Sequence, residues 1–148
     1  MMRARRLGLV GCVSEKRTTA APAEDLYTST LFRGRRAFAG RTCDDWYILS
    51  AKHGLVARST VLEPYDLALT SKGRKDKRVW ATAVLAELDD RLGSLVDITF
   101  EIHAGADYFA FGLVEGLERR GATVVIPTQG LRVGEQLRFY TEHKDPPR

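Results

Sequence analysis

The chain has 148 residues, of which 44% are hydrophobic and 28% are charged. This length and balance are typical of one globular domain covering residues 1–148, and they exclude a disordered chain. No apolar run approaches the roughly 18 residues that a membrane span requires. The basic start at Met1–Arg6 is not followed by the apolar centre of a secretory signal. We therefore expect a cytoplasmic protein without a membrane partner.

The net charge of +4 and the isoelectric point near 9.3 are compatible with a nucleic-acid partner. A basic soluble protein without such a partner would have the same charge. Cys12 and Cys43 are the only cysteines, and neither has zinc-site spacing. The three histidines lack HExxH or HxH spacing, and the glycine fingerprints of dinucleotide and P-loop sites do not occur. We expect neither a metal nor a cofactor.

Apolar, β-branched runs predict four strands, at Leu7–Cys12, Trp46–Ser50, Asp97–Ile102 and Thr123–Ile126. Helical periodicity predicts four helices, at Tyr27–Arg41, Lys75–Leu92, Ala106–Arg120 and Gly134–His143. The segment Leu55–Lys72 is predicted to be a long loop, and the tail Asp145–Arg148 is expected to fray.

Local signals predict details of the first two helices. A serine or threonine at positions 28–30 should cap the first helix, and Gly40 should end it. The second helix should end at Gly93. Its apolar face is predicted to contain Val79, Ala83, Ala86 and Leu88.

Strands that alternate with helices predict a mostly parallel four-stranded sheet in a three-layer α/β/α sandwich. Ligands of such sheets bind beyond the carboxyl ends of the strands. The segments at these ends are rich in polar and small residues: Gly11–Arg17, Ser50–Gly54, His103–Tyr108 and Pro127–Gly130. We predict that they line a pocket for a small ligand or a nucleobase.

Three residues are candidates for catalysis. His53 has an ordinary pKa near ~6.5 and suits proton transfer, or else it holds its turn by a bond to a backbone carbonyl. Asp66, in the long loop, could orient a water or bind a ribose hydroxyl. Lys52, together with Lys16, suits a phosphate or a developing anion, and the alternative is that both are solvated lysines.

A larger set is predicted to bind the substrate. Tyr65 and Tyr108 could stack on a base, and Gln129 and Ser14 could read its edge. Some of the set have structural alternatives, such as helix capping by an aspartate or glutamate or core packing by a cysteine. The full set is Cys12, Ser14, Lys16, Tyr27, Ser29, Ser50, Tyr65, His103, Asp107, Tyr108, Gln129, Arg132 and Glu135.

Several motifs together resemble a family of small bacterial and phage domains of unknown function, whose members often read C-S-x-x-K, L-Y-x-S-x-L-F and L-S-A-K-[HY]-G-L. The resemblance covers most of the chain. The segments that carry it are Gly11–Lys16, Asp25–Phe32, Ile48–Leu55, Pro64–Asp66 and Gly130–Leu137.

A more distant similarity is to the core domain of archaeosine synthase, which carries P-C-x3-K-P-Y-x2-S-x2-H and acts on a modified 7-deazaguanine base in transfer RNA. Cys12 and Lys16 keep the C-x3-K spacing, whereas Tyr27 and Ser29 come later and closer together, and Phe32 is the nearest counterpart of the histidine. The predicted architecture also resembles the uracil-DNA glycosylase fold, in which loops after the strands grip an extruded base. The glycosylase motifs G-Q-D-P-Y and H-P-S are missing from this sequence.

Charge, polar strand ends and resemblance together predict a nucleobase- or nucleotide-processing enzyme, working by base modification or N-glycosidic cleavage on free nucleotides or on DNA or RNA. Lys16, Lys52 and Arg132 would hold phosphate or stabilise a leaving group. Two alternatives remain open: a non-catalytic module that binds nucleic acid or nucleotide, and a small-molecule nucleoside hydrolase or transferase. The sequence does not indicate an oligomeric state.

Overall fold

The computed structural model describes residues 5–143. The strands are β1 (Arg6–Gly11), β2 (Ala21–Pro22), β3 (Asp45–Ser50), β4 (Gly54–Ala57), β5 (Val61–Leu62), β6 (Thr99–His103) and β7 (Thr123–Val125). The helices are α1 (Ala23–Leu26), α2 (Thr30–Thr42), α3 (Arg74–Leu92), α4 (Ala106–Phe109), α5 (Leu113–Arg119) and α6 (Val133–Glu142), with a 3₁₀ turn at Leu69–Ser71. The predicted tail Asp145–Arg148 lies outside the described residues. Within them, no helix combines the length and hydrophobicity needed to cross a membrane.

A five-stranded sheet in the order β4-β3-β1-β6-β7 forms the centre of the fold. Strand β1 is parallel to both β3 and β6, and β6 is parallel to β7. This confirms a mixed α/β fold with a mostly parallel sheet, but the prediction of four strands was wrong. The fifth strand, β4, pairs antiparallel with β3 at one edge and occupies part of the predicted loop. Its four residues carry too short an apolar run to stand out in the sequence.

A second, two-stranded sheet joins two loops that are far apart in the sequence. Strands β2 and β5 pair through Ala21 with Leu62 and through Pro22 with Val61. The backbone N–H of Ala23 continues the contact by donating to the carbonyl of Thr60 at 2.7 Å. The segment after β1 and the segment after β4 are thereby held against each other.

Helix α2 contacts β1, β3 and β6, and α6 packs on α2. Helix α3 contacts β4 and α5, while α5 contacts β7. The contact between α2 and β1 depends on Gly8. A Cβ atom at Gly8 would lie 2.9 Å from the Cβ of Trp46 and 3.0 Å from that of Ala39. The absence of a side chain at Gly8 therefore sets how closely α2 approaches the sheet.

The first long helix departs from its predicted bounds at both ends. Ser29 caps α2 as predicted, because its Oγ accepts a hydrogen bond from the N–H of Phe32 at 3.1 Å. The predicted start at Tyr27 was wrong, because Tyr27 and Thr28 lie outside any helix, between α2 and the separate short helix α1. Gly40 does not end α2, which continues to Thr42. Gly40 keeps a negative φ, so nothing in its backbone interrupts the helical hydrogen bonds.

Helix α3 ends at Gly93, which has a φ of 73°, as predicted. Its predicted apolar face was right at Leu88, which is buried, but wrong elsewhere, since Val79 is 61% exposed and Ala83 and Ala86 are also exposed. The larger side chains of the opposite stripe bury more apolar area and are the ones inside. The buried residues are Trp80, Ala81, Val84, Leu85 and Leu88.

The predicted helix Ala106–Arg120 is two helices, α4 and α5. Between them Gly112 has a φ of 114°, a conformation that an α-helix cannot contain. The last helix, α6, differs from its prediction by one residue at each end.

Candidate functional site

Five hydroxyl- or thiol-bearing side chains gather at the carboxyl ends of β1 and β3, and we call them the hydroxyl cluster: Cys12, Tyr27, Ser50, Tyr65 and Tyr108. The Tyr65 hydroxyl lies 2.5 Å from that of Tyr27 and 2.7 Å from Ser50 Oγ. The Cys12 thiol lies 3.1 Å from the Tyr108 hydroxyl and close enough to Tyr27 and Tyr65 to affect their ionisation. All five are among the predicted substrate-binding residues.

The pairing of β2 with β5 explains why these residues meet. Tyr27 follows β1 at a distance of sixteen positions and Tyr65 follows β3 at fifteen, counting from Gly11 and Ser50. The joined loops bring the two tyrosines together above the ends of the parallel strands β1 and β3. The N–H of His53 donates to Ser50 Oγ at 3.0 Å, and Trp80 Nε1 donates to the Ser50 carbonyl at 2.9 Å. The turn after β3 is therefore fixed from two sides.

The phenols of the hydroxyl cluster remain protonated at neutral pH. Burial raises the pKa of Tyr27 to about 12. Burial also raises the pKa of Tyr65 and of Tyr108, and nearby Cys12 adds to both shifts. Each phenol therefore keeps one O–H, which it can donate either to a polar ligand or to its neighbour in the cluster.

Two lysines and a histidine surround Tyr65. Lys16 Nζ lies 4.5 Å from the centre of the Tyr65 ring, and Lys52 Nζ lies 6.0 Å from it. The His53 ring meets the Tyr65 ring edge-on at 5.3 Å. Burial and the charge of Lys52 lower the pKa of His53, so its imidazole is neutral at pH 7 and can accept a proton.

Residues 7–142 match a protein family described as a family of unknown function, DUF6884. The chain belongs to the DUF6884 family. No curated protein and no solved structure matched it significantly. The matched residues include every member of the hydroxyl cluster, together with Lys16, Lys52 and His53.

Other predicted site residues of this DUF6884 member have structural partners. Asp107 Oδ1 accepts a hydrogen bond from Lys77 Nζ at 2.9 Å. Ser29 caps α2, and Glu135 accepts a hydrogen bond from the N–H of Arg132 at 2.9 Å to cap α6. Ser29 and Glu135 lie at helix starts, where capping satisfies backbone donors, whereas Asp107 makes no capping hydrogen bond at the start of α4.

The remaining predicted residues are dispersed. His103 is fully buried, with its Nε2 2.5 Å from Glu101 Oε1 and its Nδ1 2.7 Å from the Tyr140 hydroxyl. Gln129 is exposed and lines a recess of ≈ 340 Å³ beside α5 and β7. Ser14 and Asp66 are exposed. The structure thus brings together predicted residues that follow β1 and β3 and Tyr108 of α4. Gln129, which follows β7, lies elsewhere.

Sequence reasoning missed Arg35, which is 4% exposed and donates from Nη1 to the carbonyl of Gly11 at 3.2 Å. The sequence does contain one indication that Arg35 is buried. Arg35 stands at helical spacing between Leu31 and Phe38, where a charged residue interrupts the inward side of α2. Among residues 5–143, no group of three or more histidines, cysteines or carboxylates is arranged to hold a metal ion.

Proposed function

We propose that this DUF6884 member is an enzyme that processes a nucleobase or nucleotide, with the hydroxyl cluster and its lysines as the binding site. The observation that carries the proposal is the hydrogen-bonded group Tyr27, Tyr65 and Ser50 beneath Lys16 at the ends of parallel strands. A nucleobase presents a flat aromatic face and several hydrogen-bond acceptors along its edge. Aromatic rings and phenol donors are complementary to both features.

The chemistry follows from the groups beside Tyr65. In N-glycosidic cleavage, water adds to C1′ of the sugar, the C1′–N bond breaks, and the base leaves with the bond's electron pair and takes up a proton. Neutral His53, or Asp66 in the neighbouring loop, would accept the proton from the water. Lys52 and Lys16 would stabilise the negative charge of the leaving base or of a phosphate.

The proposal includes a finer description of the fold. Helices α2 and α6 would cover one face of the sheet and α3 and α5 the other, giving a three-layer sandwich of the uracil-DNA glycosylase type. The parallel order of β3, β1, β6 and β7 and the two separate groups of packed helices support it. An experimental structure with a bound nucleoside would test both the layers and the site.

Binding is tested by thermal shift with free bases, nucleosides, nucleotides and short oligonucleotides, and turnover by chromatographic detection of a released or altered base. We expect at least one of these compounds to raise the Tm. If none does and no product forms, the proposed function is wrong. Turnover abolished by His53→Ala with binding intact would assign proton transfer to His53 rather than Asp66.

Tyr65→Phe tests the cluster itself. The variant keeps the ring but removes the hydroxyl that contacts Tyr27 and Ser50, so we expect at least a tenfold weaker binding of the compound identified in the screen. The cost in stability should be about 1 kcal/mol. Tyr47→Phe is the control, because Tyr47 lies on β3 outside the cluster and should bind as the native protein does.

A non-catalytic nucleic-acid-binding module is a second candidate, favoured by the exposed side of α3. Arg74, Lys75 and Arg78 lie there along a shallow surface with Val79 and Thr82. Phosphate contacts by such cations would make binding depend steeply on salt. Salt-sensitive binding of DNA or RNA that is weakened by Arg78→Ala but not by Tyr65→Phe, without turnover, would favour this candidate.

A further inference from the structure

Arg35 carries a positive charge into the interior of the molecule. Its side chain enters from the second turn of α2, and only 4% of the residue is exposed. Nη1 donates to the Gly11 carbonyl at 3.2 Å, and Nη2 lies 3.4 Å from Gln136 Oε1. Nε has no hydrogen-bond partner among the described residues. It is the one buried side-chain nitrogen or oxygen in residues 5–143 without a partner.

No carboxylate neutralises this charge, since none within residues 5–143 forms an ion pair with Arg35. The contacts that Arg35 does make are to neutral oxygens. Burial lowers the pKa of Arg35, and interactions with Tyr140 and Cys12 offset part of that effect. A guanidinium nevertheless stays charged at neutral pH. An unpaired buried charge destabilises a protein, so such a residue is usually paired in the functional state.

The position of Arg35 indicates where a partner would come from. Gly11 is the last residue of β1, and the adjacent Cys12 belongs to the hydroxyl cluster. The Cys12 thiol lies 3.1 Å from the Tyr108 hydroxyl, and these two residues retain 8% and 9% exposure. Lys16 and Lys52 stand at the same edge. Arg35 at the end of β1 and the two lysines beside Tyr65 therefore place three cations at the edge of the sheet that carries the hydroxyl cluster.

We propose that Arg35 binds an oxyanion, the phosphate group of the substrate, at the carboxyl end of β1 beside Cys12 and Tyr108. The inference rests on the proposed function and deepens it, because it makes the substrate a nucleotide rather than a free base or nucleoside. A phosphate would supply the negative charge that no described carboxylate provides to Arg35, and it would accept a hydrogen bond from the free Nε–H. The phenol of Tyr108 provides a further donor to the same oxygen atoms.

The experiment compares four proteins by thermal shift: native, Arg35→Met, Arg35→Lys and Arg33→Met. Arg33 is an exposed arginine two positions away on the same helix and controls for net charge. The probes are inorganic phosphate, acetate and a set of nucleoside 5′-monophosphates with their nucleosides, each measured against sodium chloride of equal ionic strength.

We expect millimolar inorganic phosphate to raise the Tm of the native protein and of Arg33→Met by about 3 °C. Arg35→Met should lose this response while its own Tm is unchanged or higher, because an unpaired buried charge is removed. Arg35→Lys should retain part of the response. Acetate acting as strongly as phosphate would identify a carboxylate site instead and contradict the assignment to phosphate.

A lower Tm for Arg35→Met, together with a native protein that does not respond to phosphate, would overturn the proposal and make Arg35 a structural residue. The two proposals fail separately. Nucleosides that bind as tightly as their monophosphates would refute the phosphate site but leave the proposed function standing. If inorganic phosphate binds through Arg35 but no base or nucleotide raises the Tm, the proposed function is refuted and the phosphate site stands.

Discussion

At the scale of single residues, buried polar groups set the local chemistry. Glu101 and His103 are two positions apart on β6, so both side chains point to the face that α2 covers. Although burial alone would raise it, hydrogen bonds and charge from His103, Thr42 and Arg6 lower the pKa of Glu101 to about 2. The carboxylate is therefore charged in the core over the whole physiological range.

The lowered pKa of Glu101 predicts how the free energy of unfolding depends on pH in acid. The folded pKa of about 2 is below the ordinary 4.5, so the unfolded chain binds the proton more tightly. The stabilisation of about 3 kcal/mol should be complete above pH 4.5 and lost as the pH falls to about 2. Urea unfolding across this range should show the loss in the native protein and not in Glu101→Gln. Glu87→Gln, at an exposed pair on α3, should keep the native dependence.

At the scale of elements, glycines determine how closely neighbours pack. Gly8 lets α2 lie on β1, and Gly34 lets α6 lie on α2, where a Cβ would come within 2.8 Å of the Tyr140 Cβ. Gly40 has no such neighbour, since nothing lies within 4 Å of the position its Cβ would take. Replacing Gly8 on β1 and replacing Gly40 on α2 are therefore expected to change stability in opposite directions.

Gly8→Ala and Gly40→Ala form a matched pair. Gly8→Ala should lower the free energy of unfolding by about 1–3 kcal/mol, because the clashing Cβ atoms of Trp46 and Ala39 move only with their backbones. Gly40→Ala should raise it by about 0.5–1 kcal/mol, since alanine favours an exposed helix interior. Urea denaturation measures both. Equal effects of the two substitutions would contradict the packing described for Gly8.

At the scale of the whole molecule, one buried network connects the sheet to the last helix. Arg6 Nε donates to Glu101, Glu101 contacts His103, and His103 contacts the hydroxyl of Tyr140 on α6. Tyr140 also interacts electrostatically with Arg35. The C-terminal helix is thereby linked to strands β1 and β6 and to the candidate site.

Tyr140→Phe tests this connection. Removal of the hydroxyl leaves the buried Nδ1 of His103 without its partner, and we expect the free energy of unfolding to fall by about 2 kcal/mol. Near-ultraviolet circular dichroism should be largely preserved, because the ring still fills its place against Gly34. Tyr47→Phe again serves as the control. A loss below about 0.5 kcal/mol would show that the network contributes little.

The four parallel strands and the two longest helices were predictable because their signals are local. Strand β1 is a continuous apolar run, and α3 ends at a glycine in the conformation that its cap requires. The break at Gly112 and the edge strand β4 were not predictable. Both depend on tertiary packing, since a glycine within a helical pattern and a four-residue apolar segment are each compatible with other structures.

The candidate site divides in the same way. Sequence alone determined which residues lie at the strand ends, because the end of each strand follows from the local sequence around it. It therefore identified Cys12, Ser50 and Tyr108 as candidate site residues. Only the tertiary structure decided which of them meet. The pairing of β2 with β5 brings Tyr27 to Tyr65, and α2 inserts Arg35 beneath the end of β1. Contacts between segments so far apart depend on the whole packing of the chain, which no local pattern of residues encodes.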